Sequence, residues 1–315
     1  DARISHPEVE SYLQTNGINL SSYDRVVFVA NNGGSGGCSS VGKASGMVNG
    51  VNYNLSQSWI SIGPRYLDQI FDPEEGLFGF TYMDKTLSHE LGHALGLLHA
   101  NGYDCGDKSV RGDCRNIEYG NSFDIMGSAD FSFHFNALYK EMLGWIDNEF
   151  MLTITEPGIY TINPLEKSSS RLKAAKIMIP QLSFAPFYLE YRKATGFDEG
   201  LKDDLISQNQ HGLIINMVVD LDVPYTPLFS RLLDINPSAE DWFADRIDAA
   251  LSQAKTPGTF WDSDTGVIVG NIVSSDDGNI TFNVDFAPID CIRRIPNIIQ
   301  LSEGNAIFGS GQTGA

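Results

Sequence analysis

One stretch constrains this chain more than any other: His89-Glu90-Leu91-Gly92-His93-Ala94-Leu95-Gly96-Leu97-Leu98-His99. Its fixed positions read H-E-x-x-H-x-x-G-x-x-H. Residues four apart on a helix share a face one turn up, so His89 and His93 can aim two imidazoles at one metal ion. Glu90 leaves the same turn at another angle, close enough to reach a water on that ion without ligating the ion. Gly96 lets the chain leave the helix, because glycine adopts φ > 0 without a Cβ clash. The returning chain then brings in His99. Three neutral imidazoles with the fourth position open describe a catalytic zinc site, since a structural site usually closes that position with protein. Five fixed positions arise by chance in roughly one random chain of this length in 10^4. A buried amphipathic helix that merely carries histidines is therefore a poor rival. A zinc helix that has lost its catalysis is a better one, and the presence of Glu90 argues against it.

The helix carrying the motif is expected to begin near Asp84 or Thr86, either of which can cap free N–H groups. Leu87, Leu91, Ala94, Leu95 and Leu98 supply an apolar face for the core. Farther on, in Tyr119-Gly-Asn-Ser-Phe-Asp-Ile-Met126-Gly-Ser128, Asp124 reads as a turn-fixing residue. Phe135 to Ile146 places Leu138, Met142 and Trp145 at helical spacing, with Gly144 near the end. It is expected to form a helix that closes the catalytic unit.

At 315 residues the chain is one large domain or two of ordinary size. A net charge of −19 argues against a nucleic-acid partner, because phosphates would be repelled. It reads as the surface of a soluble, secreted protein. No run of about 18 apolar residues marks a membrane span. The sequence starts at Asp1 without a charged-then-apolar leader, so a mature form lacking its signal and any pro-segment is expected. A monomer is expected.

The chain has four cysteines. Cys105 and Cys114 enclose a short Gly/Asp-rich loop, which favours a disulfide and leaves Cys38 to pair with Cys291. Sequence alone does not choose among the three pairings. Extra zinc ligation by cysteine is the rival, disfavoured because three histidines already make a site. An even count suits an oxidising compartment.

The fold class expected is α+β: a twisted sheet plus the active-site helix over residues 1–148, a β-rich sandwich-like domain packed on it over 149–300, and a tail from 301 to 315. A short helix is expected from His6 to Gln14. Arg25-Val-Val-Phe-Val-Ala30 reads as a buried strand, and the Gly-rich run Asn31 to Gly37 as a surface loop pinned by Cys38. Gly46 to Gly63 is strand and turn material, either an edge strand able to pair with an extended peptide or an ordinary interior strand. Farther on, Thr153–Thr155, Tyr160–Ile162, Lys176–Ile179, Phe187–Tyr191, Gly212–Val219, Gly266–Val273 and Asn279–Val284 read as strands. Ala239 to Ala254 has helical spacing. Asp276-Asp-Gly-Asn279 is a hairpin signal; a Ca2+ loop is the rival there, and its spacing does not match an EF-hand. Asn19, Asn54 and Asn279 head glycosylation sequons.

The chain resembles the metzincin zinc peptidases, and within them the gametolysin family, with immune-inhibitor-A-like peptidases as a close alternative. The zinc motif, Tyr119-Gly-Asn-Ser-Phe-Asp-Ile-Met-Gly and Phe135-Asn-Ala-Leu-Tyr-Lys-Glu-Met-Leu-Gly-Trp-Ile carry the resemblance. Phe187-Tyr-Leu-Glu-Tyr-Arg192 and Gly212-Leu-Ile-Ile-Asn216 extend it loosely. The resemblance implies a secreted, extracellular zinc metalloendopeptidase with one catalytic Zn2+ and a protein or glycoprotein substrate. It implies His89, His93 and His99 as ligands, Glu90 as general base and acid, and Met126 as an apolar floor beneath the metal (the Met-turn). Some metzincins place a tyrosine two residues after that methionine; Ser128 stands there, so that role is not carried over. The alternative function is a non-catalytic, zinc-containing adhesion or glycan-binding module.

Overall fold

The computed structural model describes residues 4, 6–30, 36–63, 76–128, 133–167, 171–179, 182–202, 212–218, 229–237, 249–251, 258–274, 278–288, 298–300 and 306–308. These residues form an α+β fold built mostly of sheet.

Helix α1 (Pro7–Thr15) starts on a proline, whose missing N–H costs nothing in a first turn. A four-stranded sheet follows, made of β1 (Arg25–Ala30), β2 (Gly36–Ser39), β3 (Ala44–Val48) and β4 (Val51–Ser61). β1 runs parallel to β4, from Arg25↔Ser56 to Ala30↔Ser61. β2 and β3 take the opposite edge of β4 antiparallel, β2 against Ser58–Ser61 and β3 against Val51–Leu55. Asn49 and Gly50, with φ of 48° and 77°, close the β3–β4 hairpin, as a type I′ turn requires. So β4 is the interior strand, and β2 makes Gly36 and Gly37 a sheet edge where a loop was expected; residues 31–35 of that expected loop lie outside the described residues. β1 is a strand but not a buried one: Val27 and Val29 are exposed, because β1 lies at the other edge. A continuous apolar run indicates a strand without saying where in a sheet it lies.

The metal-motif helix, α2, runs Gly76–Ala94. It starts before Asp84 and Thr86 because no proline interrupts the residues ahead of them; the capping-type residues lie inside the helix. The strands of the next two sheets are β5 (Asn101–Asp104), β6 (Arg115–Ile117), β7 (Met151–Ile154), β8 (Gly158–Ile162), β9 (Ala174–Ile179), β10 (Leu182–Tyr191), β11 (Leu213–Val218), β12 (Ser230–Leu233), β13 (Thr259–Trp261), β14 (Val267–Ser274) and β15 (Ile280–Phe286). Seven form one sheet in the order β6-β5-β12-β11-β10-β9-β7, and four form another in the order β13-β14-β15-β8. Strand pairing thus crosses residue 148: β5 and β6 join the sheet built by β7 and β9 to β12.

The two sheets bury a shared core, with Phe187, Leu189 and Ile215 from one and Phe260, Val269 and Phe282 from the other. The opposite face of the seven-stranded sheet is covered by α3 (Ala137–Met142) and the Met126 segment, with Leu138, Tyr139 and Met126 packed near Tyr188 and Val218. Covered on both faces, β11 is buried at every residue. The helix α3 is shorter than its sequence pattern suggests. Leu138 is buried, but Met142 and Trp145 are exposed, because the chain turns at Gly144 (φ 69°).

Most strands expected after residue 150 are present. β5, β6, β12 and β13 were not legible, being three or four residues each and without alternation. β14 and β15 pair across Ser274↔Ile280, as the hairpin signal implies; residues 275–277 lie outside the described residues. Most of the helix expected over 239–254 also lies outside them, and Leu251 is bridged to Leu213 as extended chain. Within the tail, Ala306–Phe308 pairs with Ile298–Gln300.

Candidate metal centre

The end of α2 shapes the site. Gly96 has φ 100°, its N–H donates to the His93 carbonyl at 2.8 Å, and the Leu97 N–H donates to the Gly92 carbonyl at 3.0 Å. This pair of bonds is a Schellman cap, which reverses the chain through a left-handed residue. The reversal carries His99 back toward the helix. Ligand atoms of His89, His93 and His99 lie within 4.8 Å of one another, so the three residues could hold a metal ion.

Each ring is fixed from behind. His89 Nδ1 donates to the Ile125 carbonyl at 2.8 Å, and His93 Nδ1 donates to the Leu97 carbonyl at 2.8 Å. His99 Nδ1 bonds Glu118 Oε1 at 2.9 Å. A carbonyl can only accept, so His89 and His93 carry their proton on Nδ1 and present the Nε2 lone pair inward. Burial, with the neighbouring histidines adding to it, holds His89 down to about 4, and burial likewise lowers His93. Both rings are therefore neutral at pH 7, the form a metal binds. The Tyr119 ring lies against His99, tilted by 33° with 3.8 Å between ring centroids, and its backbone is left-handed at φ 58°.

Glu90 is buried, and burial pushes its carboxyl up to about 7. Its Oε2 has no hydrogen-bond partner among the described residues. β2 passes directly over it: a Cβ on Gly37 would sit 2.5 Å from Glu90 Cγ and 2.7 Å from Oε1. Gly37 is thus the close approach of the strand edge to the acid. The other edge of β2 has no strand partner among the described residues.

Met126 is fully buried, and a Cβ on Gly92 would sit 2.3 Å from its sulfur. Gly92, ahead of His93, therefore lets the methionine press against the helix. Asp124 sets the turn. It is fully buried, and its two oxygens accept from the N–H groups of Met126 and Asn136, each at 2.6 Å. Asn136 Oδ1 then caps α3 by accepting from the Tyr139 N–H at 3.0 Å. The Tyr139 hydroxyl donates to the His99 carbonyl at 2.9 Å. Glu118, the Ile125 carbonyl, Asn136 and Tyr139 were not singled out as site residues from sequence. Their roles depend on tertiary contacts, and only their closeness to the Met126 segment hints at them.

Cys105 and Cys114 form a disulfide beside the β5–β6 pair, which removes them as metal ligands. Cys38 is exposed and has no disulfide partner among the described residues; Cys291 lies outside them. No family model, curated protein or solved structure matches the chain.

Proposed function

We propose that the protein is a zinc-dependent endopeptidase acting on extracellular polypeptides, as the resemblance to metzincins implies. The observation that carries this reading is three imidazoles anchored from behind with their ligand atoms within 4.8 Å of one another, next to a buried Glu90 whose Oε2 has no partner among the described residues and which follows His89 directly in the chain. The donor set fits zinc, which takes neutral imidazole nitrogens readily. His89, His93 and His99 would hold it. When bound, zinc supplies a Lewis acid that acidifies water and polarises a carbonyl.

Glu90 then works as base and acid. Burial raises the pKa of the Glu90 carboxyl in the metal-free protein, and a carboxylate so placed is a stronger proton acceptor than one in water. It accepts the proton of the attacking water and returns it to the leaving amine. The free edge of β2 offers backbone groups to an extended substrate, next to Glu90. An extracellular setting is supported by the Cys105–Cys114 disulfide. Among the described residues no helix is long and apolar enough to cross a membrane.

The test is metal content by elemental analysis beside peptide-library cleavage with and without a chelator. About one zinc per chain and chelator-sensitive cleavage are expected. Glu90→Ala should keep the metal and lose hydrolysis; cleavage at the wild-type rate by that variant overturns the assignment.

A further inference from the structure

Leu87, Leu91 and Trp145 sit at helical spacing that assigns them to a core, yet all three face one open cavity of about 960 Å³. On α2, Leu87, Leu91 and Asp84 lie roughly 160° to 220° around the axis from His89, whereas His93 lies about 40° away. The cavity is therefore on the reverse side of the helix from the metal ligands. Ile125 connects the two: it lines the cavity, and its carbonyl holds His89 Nδ1.

The far wall is built to stay in place. Arg192 is fully buried and donates to Asp198 at 2.6 and 2.7 Å and to Glu190 at 3.0 Å. Asp198 also accepts from the His134 N–H at 2.9 Å. The network thus locks the Phe133–Phe135 segment to the 3-10 turn Gly196–Lys202, and both line the cavity. Buried ion networks add little stability over apolar packing of the same shape, so what this one supplies is geometry. Phe197, next to Asp198, is held outward at 69% exposure, and Trp145 stands at 57%. Both rings line the cavity while remaining largely open to water, so its rim offers apolar surface to a ligand.

Charge narrows the occupant. Lys202 is bonded to Glu199. Burial holds His134 down to about 4, so it adds no positive charge at neutral pH. The Asp84 carboxylate has no partner among the described residues and leaves the rim negative. A cation between an unpaired carboxylate and two aromatic faces gains from both.

We propose that this cavity is a second binding site, for an aromatic or aliphatic side chain followed by a basic residue in a polypeptide. Naming a polypeptide rests on the peptidase reading. A chain held at the metal would need only about six extended residues, at roughly 3.3 Å each, to pass round a helix about 10–12 Å across.

The experiment uses two fluorogenic peptides with one scissile sequence, one of them extended by an eight-residue arm carrying Phe-Arg. A labelled arm without the scissile sequence reads binding directly by anisotropy. The wild type should bind the arm and show a KM at least tenfold lower for the extended peptide. A Trp145→Ala/Phe197→Ala double variant and Asp84→Lys should each lose that advantage, with kcat/KM for the short peptide unchanged within twofold. An arm carrying Phe-Glu should bind more weakly than Phe-Arg. Equal binding of the arm by wild type and variants, or none by any, overturns the proposal. A wild type that cleaves neither peptide sinks the peptidase reading instead, and the anisotropy still decides this one.

Discussion

Asp124→Asn tests whether the Met126 turn positions the metal ligands or only packs beneath them. The wild-type carboxylate accepts two backbone N–H bonds, from Met126 and Asn136, at 2.6 Å each. An asparagine fills the same space and accepts one. Its amide then faces the second N–H, donor against donor, which costs about 1–3 kcal/mol for a buried group. The same change removes a buried charge. Burial raises the Asp124 pKa from 3.8 to about 7, which sets against ionised folding a penalty of up to about 4 kcal/mol at neutral pH. The two effects oppose each other, so stability without metal should move by no more than about 3 kcal/mol in either direction.

Metal affinity has no such offset. Ile125 lies between Asp124 and Met126, and its carbonyl fixes His89 Nδ1. Loosening the turn loosens that carbonyl, and outer contacts of this kind change metal affinity by about 10- to 100-fold. Zinc competition against a chromophoric chelator at pH 7.5, beside urea unfolding of the metal-free protein, reads both quantities. The expected result is a Kd weakened by at least tenfold with unfolding shifted by no more than about 3 kcal/mol. A Kd within twofold of wild type in a folded Asp124→Asn protein refutes the positioning argument.

Gly37→Ala should lower kcat/KM at least tenfold and leave metal content unchanged, because its Cβ would meet Glu90 Cγ at 2.5 Å; wild-type turnover rules that contact out. Breaking the Cys105–Cys114 bridge, of sequence separation 9, with Cys105→Ser should cost about 2–3 kcal/mol in urea unfolding. An unchanged midpoint would mean the loop is closed without it. His134 sits at about 4 against an ordinary 6.5, so the folded state binds fewer protons than the unfolded state between those values. Its contribution is complete above pH 6.5 and lost as pH falls to about 4, at most about 3 kcal/mol. His134→Gln should therefore lose less stability than wild type between pH 7 and 4, and parallel curves contradict the assignment.

The three clustered histidines were legible because a short motif encodes local geometry: helix spacing sets His89 and His93, and Gly96 returns the chain to His99. What holds the rings was not, because the Ile125 and Leu97 carbonyls carry no side-chain signature and Glu118 is one acid among many. Of the Gly-rich run only Gly36 and Gly37 lie among the described residues, and they form strand where a loop was expected. Gly37 reads as loop composition, but its missing Cβ is what allows a strand edge to cross Glu90. Periodicity had a different limit. It identified Leu87, Leu91 and Trp145 as residues needing cover, and it could not say what covers them. Among the described residues nothing closes that cavity, while Arg192 and Asp198 spend two buried charges holding its wall in place. Ile125 both lines this cavity and holds His89 through its carbonyl, so a ligand that shifts Ile125 should change zinc affinity, and zinc should change that ligand's affinity by the same factor; a zinc Kd that is equal with and without the saturating Phe-Arg arm contradicts this.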